Sequence, residues 1–371
     1  MSKTPEFDIF LVATPGLESV LLAEAQERRF RSPKLVAGGV EFRGRWPEVW
    51  RANLELRGAT RVLARIGAFR VLHLAQLDRR ARKFPWAETL RCDVPVRVEA
   101  ACSRSRIYHS DAATGRIATA ICEELGAEVS EDAELCIKAR IDDDLCTISI
   151  DTSGDSLHKR GFKAETGKAP MRETMAALFL RQCGYNGGEP VVDPMCGSGT
   201  LVIEAAEIAA GLFPGRARHF AFEQLARFDA AAWEKLRSAA RPMTPTLRFH
   251  GSDRDAGAIR MSRANAERAG IATFTEFHQH AISDLAPPEG PPGLVMVNPP
   301  YGTRIGDKRP LHDLYSAIGK TLLSRFSGWR VGLVTADAAL AKSTGLPFGP
   351  PSPPVLHGGL RVLLFQASPL K

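Results

Sequence analysis

A doubly wound, mostly parallel α/β domain, preceded by smaller α+β units, is the fold that the 371 residues predict. Three observations carry this. After Pro170, short apolar runs alternate with stretches of helical period, the grammar of a parallel sheet. The first of those runs, VVDP (191–194), ends in a glycine-rich turn that opens a helix near Thr200. Before Gly161 the strands instead fall close together, and Asp142-Asp143-Asp144 reads as a hairpin turn between two of them.

The elements follow in order. FDIFLVAT (7–14) reads as a strand, and Leu17, Val20, Leu21 and Ala25 then repeat at helical spacing. Gly38-Gly39 precedes a strand at 40–44, and Trp46-Pro47 opens a helix to about Leu56, with proline at a favoured first-turn position. A strand at 61–71, a helix near 74–83, a strand at 95–101 and a helix at 111–125 come next. Strands around 134–140 and 145–151 follow, with Cys146, Ile148 and Ile150 on one face of the second. Residues 152–170 read as a linker or crossover. Beyond it lie strands at 191–194, 247–253, 273–280, 293–300, 329–335 and 358–366, with helices at 255–269 and 311–326. Proline- and glycine-rich stretches at 286–293 and 345–354 read as loops.

Charge is distributed unevenly. Residues 1–110 carry a net +8, residues 111–155 a net −9 and residues 156–371 a net +8. Two basic regions, rich in Arg, suit a polyanion such as nucleic acid, although solvated basic faces would leave the same trace. No stretch offers the ~20 apolar residues of a membrane span, and the opening MSKTPEFDIFLV lacks the plan of a signal peptide. The seven cysteines form no C-x-x-C, which argues against a zinc site or a disulfide framework. A cytoplasmic protein without a metal, expected to be a monomer, fits these features best.

Asp193-Pro194-Met195-Cys196-Gly197-Ser198-Gly199-Thr200 lies at the carboxyl end of the first strand after residue 170, the edge where open α/β sheets bind ligands. Glycines there admit close backbone approach, and the helix that follows presents free N–H groups. A phosphate loop would need a terminal Gly-Lys-Ser/Thr, and the loop has no lysine. A dinucleotide fingerprint would need a third glycine where Val202 stands. The loop of an S-adenosylmethionine-dependent methyltransferase is the third reading. Asp253, ending GSD (251–253), could accept from both ribose hydroxyls of either a dinucleotide or S-adenosylmethionine; a helix cap is its structural alternative.

Asn298-Pro299-Pro300-Tyr301 follows the run LVMV and is the most specific signal in the chain. The Asn298 side-chain oxygen and the Pro299 carbonyl are acceptors at fixed spacing, able to grip an exocyclic amine. Pro300 shapes the loop without an N–H of its own, and Tyr301 offers a face on which a base can stack. A turn with a buried tyrosine is the competing reading.

DPMCGSGT, GSD and NPPYG in this order resemble a class I methyltransferase acting on an amino nitrogen. SGDSLHKRGF (153–162) followed by APMRETMAA (169–177) looks like the junction between a THUMP RNA-binding domain and such a catalytic domain. Together with DIFLVATPGLESVLLAEA and LHDLYSAIGKTLLSRFSGW, they make nearly the whole chain similar to the N2-guanine RNA methyltransferase family. The resemblance implies a ferredoxin-like domain over 1–63, a THUMP domain over 64–155 and a Rossmann-like methyltransferase domain over 156–371. It implies S-adenosylmethionine as cofactor and the N2 amine of a guanine in structured RNA as acceptor, 23S rRNA first and tRNA as the alternative; a silent RNA-binding or assembly factor is the rival from another class. Asp193 and the Gly197 and Gly199 backbone would hold the methionine part, Asp253 the ribose, and Asn298, Pro299 and Tyr301 the base. Two positions depart from the family: Ala281 stands where an adenine-binding Asp is usual, with Asp284 nearby as a substitute, and Thr303 follows NPPYG in place of Glu. Arg104, Arg106, Lys159, Arg160 and Lys163 are candidates for phosphate contact, with solvated charge as the alternative.

Overall fold

The computed structural model describes residues 6–163, 171–301 and 309–371. It divides into two compact units. The first comprises residues up to Ala13, Leu21–Leu157 and Gly215–Ala239; the second comprises Thr14–Val20, His158–Pro214 and Ala240–Lys371.

In the first part of the chain the elements are β1 (Phe7–Val12), α1 (Glu18–Glu27), β2 (Lys34–Val36), β3 (Gly39–Gly44), α2 (Trp46–Glu55), β4 (Arg61–Arg70), α3 (Leu74–Arg82), β5 (Val96–Ser103), α4 (Ser110–Leu125), β6 (Leu135–Asp142) and β7 (Leu145–Asp151). The strands form one seven-stranded sheet in the order β2-β3-β1-β4-β7-β6-β5. The ten-residue β4 is its central strand. It pairs antiparallel with β1 on one side and with β7 on the other. The expected boundary between residues 63 and 64 therefore falls inside a strand, and the two flanking segments are halves of one sheet. The expected turn at 142–144 joins β6 to β7, with Asp143 and Asp144 both at positive φ, as a tight hairpin needs. Cys146, Ile148 and Ile150 are buried as their alternation predicts. Asp151, on the opposite face, is buried as well and pairs with Arg61 at 2.5 Å. Residues 215–239, for which the sequence suggested nothing, complete this unit through α7 (Ala230–Arg237). Trp233 packs edge-on against Phe222 (ring centroids 5.0 Å apart), which also stacks on Trp50 of α2.

The second unit has the predicted alternation. Its elements are α5 (Glu173–Gln182), β8 (Val191–Asp193), α6 (Thr200–Ala209), β9 (Phe249–Asp253), α8 (Ala256–Ala269), β10 (Thr275–Gln279), β11 (Leu294–Val297), α9 (Arg309–Arg325), β12 (Arg330–Thr335), α10 (Ala338–Ser343), β13 (Val355–His357) and β14 (Leu360–Ala367). The sheet order is β10-β9-β8-β11-β12-β14-β13. Strands β8 to β12 pair in parallel, whereas β14 runs antiparallel to β12 and forms a hairpin with β13. The central strand β11 is apolar throughout (Leu294 to Val297 are all fully buried), as a strand covered on both faces requires. The strand order reverses between β8 and β11, which makes the carboxyl edge of those strands the place for a ligand.

Candidate active site

Three loops meet that edge. The first leaves β8 at Asp193. Its turn is fixed by Met195, whose N–H donates to Asp193 Oδ1 at 3.0 Å, and by Gly199, whose N–H donates to the Cys196 carbonyl at 2.7 Å. Gly197 and Gly199 lie at φ +53° and +82°, in the left-handed region that favours glycine. Neighbouring elements pin the loop from the outside. The Cys196 N–H donates to the Ser252 carbonyl (2.9 Å), Ser262 Oγ to the Gly197 carbonyl (2.8 Å) and Asn265 Nδ2 to the Ser198 carbonyl (3.0 Å). At Gly199 a Cβ would press on Ser262 at 3.1 Å, whereas at Gly197 it would meet nothing within 4 Å. One glycine thus serves packing against α8, and the other leaves open space beside the loop.

The second loop follows β9. Asp253 is not the cap of α8: that role belongs to Asp255, whose side chain accepts from Gly257 N–H at 2.8 Å. Asp253 instead accepts from the Asp255 N–H through Oδ1 (3.0 Å) and from the Gly197 N–H through Oδ2 (3.1 Å). It ties the end of β9 to the glycine loop and keeps lone pairs for hydroxyl donors. Asp193 is 2% exposed. Burial, opposed by the Met195 N–H and reinforced by the nearby Asp253 charge, pushes its carboxyl up to about 8.

The third loop follows β11, which pairs directly with β8. Asn298 is half-buried, and its Oδ1 is buried without a hydrogen-bond partner among the described residues. A buried amide oxygen left unpaired costs free energy and calls for an explanation, such as a donor that arrives with a ligand. Pro299 is buried, Pro300 exposed and Tyr301 half-buried; burial raises the Tyr301 phenol to about 12, so it stays neutral. The sequence reading missed Tyr315 of α9. Its hydroxyl donates to the Pro300 carbonyl at 3.3 Å and lies 3.0 Å from Thr335 Oγ1. Leu311, Tyr315, Ile318 and Leu322 form one buried face of α9, so the tyrosine reads as core; the only signal was that a buried phenol needs a polar partner. Met195 packs against the apolar clusters on both sides of this region, one of which contains Val297 and Tyr315.

The remaining candidates divide. Asp284 ends a short 3-10 turn, is exposed and accepts from Ser283 Oγ at 3.3 Å; Ala281 is exposed too. Thr303 lies outside the described residues. Arg104 and Arg106 project from the first unit with side chains 74% and 70% exposed. Arg104 grips Asp142 with two hydrogen bonds (3.0 and 2.8 Å), and Arg106 lies 3.9 Å from Asp144. Lys159 is exposed. Arg160 requires correction. Its guanidinium pairs with Glu204 of α6 at 3.0 Å, and both side chains are only 1% exposed, so it is a core ion pair with no face for phosphate. Lys163 also turns inward, donating to Thr200 Oγ1 at 2.8 Å and pairing with Glu173 at 3.0 Å. Among the described residues no cluster of three or more His, Cys, Asp or Glu could hold a metal, and no helix is long and apolar enough to cross a membrane. All seven cysteines are unpaired.

A parallel sheet of this order, with an acid-anchored glycine loop beside an NPPY loop, defines a Rossmann-like methyltransferase. Comparison with known families places it further: residues 160–346 match the RMKL-like methyltransferase domain, and the chain belongs to that family. Residues 8–63 match the RlmL ferredoxin-like domain. Among curated proteins it is similar to the ribosomal RNA large subunit methyltransferases K/L of Psychromonas ingrahamii (32% identity, 92% of this chain, 47% of the relative) and Syntrophotalea carbinolica (35%, 91% and 50%). The chain thus spans about half the length of these relatives. Among solved structures it is similar to SMU.472 complexed with SAH, at 27% identity and a TM-score of 0.89, with 99% of each chain covered.

Proposed function

We propose that this chain transfers a methyl group from S-adenosylmethionine to the exocyclic N2 amine of a guanine in structured RNA, with 23S rRNA as the substrate. The carrying observation is the buried Oδ1 of Asn298, without a partner among the described residues, at the carboxyl edge, one strand from the Asp193 loop. The open space at Gly197 and the lone pairs of Asp253 suit the cofactor. The names of the curated relatives support a ribosomal RNA substrate. The first unit would bind that RNA, with residues 1–63 as the ferredoxin-like part, 64–155 as the THUMP part and Arg104 and Arg106 as its candidate phosphate contacts; Lys159, in the second unit, is a further candidate.

An extruded guanine would stack on Tyr301 and place its amine against Asn298 Oδ1 and the Pro299 carbonyl. The N2 lone pair is delocalised into the ring and nucleophilically weak. Two acceptors holding both N–H groups draw the nitrogen toward tetrahedral geometry and localise that lone pair. The cofactor supplies a methyl group on a positively charged sulfur. Alignment of amine and methyl supplies much of the acceleration. The methylated nitrogen is strongly acidic and releases its proton without a dedicated base. Asp284, exposed on the turn after β10, remains the side chain proposed for the adenine end.

Nucleoside mass spectrometry of rRNA and tRNA from a strain lacking the gene tests this reading. The expected result is loss of one N2-methylguanosine from large-subunit rRNA. Loss of N6-methyladenosine with guanosines intact would overturn the base assignment, and loss from tRNA alone would overturn the substrate. Unchanged nucleosides together with no binding of S-adenosylhomocysteine would identify a silent RNA-binding factor.

A further inference from the structure

The loop between β5 and α4, in the first unit, carries the most exposed large apolar side chain among the described residues. Tyr108 is 73% exposed. Its one ring partner among the described residues is the exposed His109, with ring centroids 4.1 Å apart and planes inclined by 43°. A ring of this size left in water forgoes the stabilisation that burial brings, so its placement calls for a reason. The loop that carries it is firmly tied. Ile107, just before the ring, is buried. Ahead of it the chain is laced to the β6–β7 hairpin: the Arg106 N–H donates to Asp144 Oδ1 at 2.8 Å, and the Asp144 N–H donates to Ser105 Oγ at 3.0 Å. Arg104 lies at φ +48°, a conformation uncommon outside glycine, and its two bonds to Asp142 carry the side chain across to the hairpin. The hairpin carboxylates are used inward. Asp142 accepts from Arg104 and from Arg140 (3.1 Å), Asp144 accepts from the Arg106 backbone, and Arg70 donates to the Asp143 carbonyl at 3.2 Å. What the loop offers to solvent is two flat rings preceded by two exposed guanidinium groups.

We propose that Tyr108 and His109 form a stacking shelf for one unpaired base of the RNA, with Arg104 and Arg106 on the phosphates that flank that nucleotide. This rests on the RNA reading above and deepens it, because it makes the first unit a reader of nucleotides outside the duplex. Inside an A-form helix the base faces are covered by their neighbours, and a protein meets phosphates and 2′-hydroxyls instead; a projecting ring finds a partner only where a base is unstacked. Stacking accepts any base, which suits a shelf that has rings and cations but no built pocket. A tyrosine has few side-chain torsions to lose, and its loop is already fixed, so little ordering opposes binding. The arginines favour a polyanion over an apolar protein surface as the occupant.

Fluorescence anisotropy on the full chain tests this with two labelled RNA hairpins of equal length, one interrupted by an internal loop of unpaired nucleotides and one fully paired. The wild type is expected to prefer the looped hairpin. Tyr108→Ala is expected to weaken that complex by roughly 5- to 150-fold, the range for one base–aromatic stack, and to leave the paired hairpin unchanged. Tyr108→Phe keeps the ring face and should bind both as the wild type does. Arg106→Ala should weaken both hairpins and lower the salt slope by about one. Abasic substitution through the loop then identifies the nucleotide: at one position the wild type falls to the affinity of Tyr108→Ala, and the variant loses nothing further. A Tyr108→Ala protein with wild-type affinity for the looped hairpin overturns the assignment and leaves methyl transfer to RNA standing. So does an equal loss on both hairpins, because the ring would then serve the duplex or the fold, and so does a wild type without preference between them. A wild type that binds neither hairpin overturns the RNA reading and this inference with it.

Discussion

The backbone N–H of Gly197 donates to Asp253 Oδ2 at 3.1 Å, so the carboxylate that ends β9 also fixes the height of the glycine loop above β8. One residue therefore does two jobs, shaping the loop and presenting acceptors at the carboxyl edge. Removing it should cost both. Asp253→Ala is expected to weaken S-adenosylhomocysteine by roughly 10- to 100-fold, since hydrogen bonds to a charged group contribute about 1.5–3 kcal/mol. Asp253→Asn, which can still accept from Gly197, should lose less. Equal affinity for wild type and alanine variant in a titration would remove Asp253 from the site.

Asn298 has the opposite signature, an acceptor that nothing among the described residues uses. Asn298→Ala should lower kcat by roughly 10²–10³-fold, the range for deleting one preorganised polar group that acts on the reacting atoms. Cofactor affinity should be unchanged. A kcat within threefold of wild type, measured on the methylated RNA, would show that the amine is held elsewhere.

Tyr315 anchors that loop from α9 through the Pro300 carbonyl. Tyr315→Phe keeps the ring in its core face and deletes only the hydroxyl. The expected result is a loss of about 0.5–1.5 kcal/mol in stability, with kcat lowered more than KM changes. A variant with wild-type kcat would mean that the proline loop holds its shape without this bond.

These residues were unequally legible in the sequence. The strands β8, β11 and β12 are short, largely apolar runs, and β8 and β11 could be read because a helix signal follows each; the helix α10 after β12 was not read. Asp193, Asp253 and Asn298 stand where such strands end. Tyr315 was hidden because one polar atom on an apolar helix face leaves no periodic trace. The residues 215–239 were hidden for another reason: Trp233 packs on Phe222, which stacks on Trp50, more than 170 positions earlier in the sequence. Gly358-Gly359 reads as the start of a strand, yet both lie at positive φ and form the turn between β13 and β14. Arg160 misled most, because HKRGF looks like a basic surface motif and its partner Glu204 is 44 positions away.

The Arg160–Glu204 pair predicts a stability effect and no effect on RNA electrostatics. Arg160→Ala removes the cation from a buried ion pair and is expected to cost about 3–5 kcal/mol, read as a large fall in Tm. The double replacement Arg160→Met with Glu204→Leu removes both charges and should recover most of that loss. The salt dependence of RNA binding should be the same in wild type and double variant. A reduced salt slope in the double variant would return Arg160 to the RNA surface.

Asp193 predicts a dependence on pH. Its carboxyl is raised from the ordinary value to about 8 by burial, so between roughly pH 4 and pH 8 the ligand-free folded chain holds one proton that the unfolded chain has lost. The folded state binds more protons in that window, and stability must therefore fall as pH rises through it. A cofactor ammonium reverses the preference by favouring the ionised carboxylate. S-Adenosylhomocysteine should consequently bind more tightly as pH rises toward 8 and release close to one proton on binding below that pH. Calorimetry at pH 6.5 in two buffers of different ionisation heat counts that proton directly. In Asp193→Asn the release should vanish, the affinity should drop, and the Tm of the ligand-free protein should lose the part of its pH slope that comes from this group. A wild type that takes up or releases no proton would show that Asp193 is already ionised in the empty site, and its role would then be confined to holding the Met195 N–H.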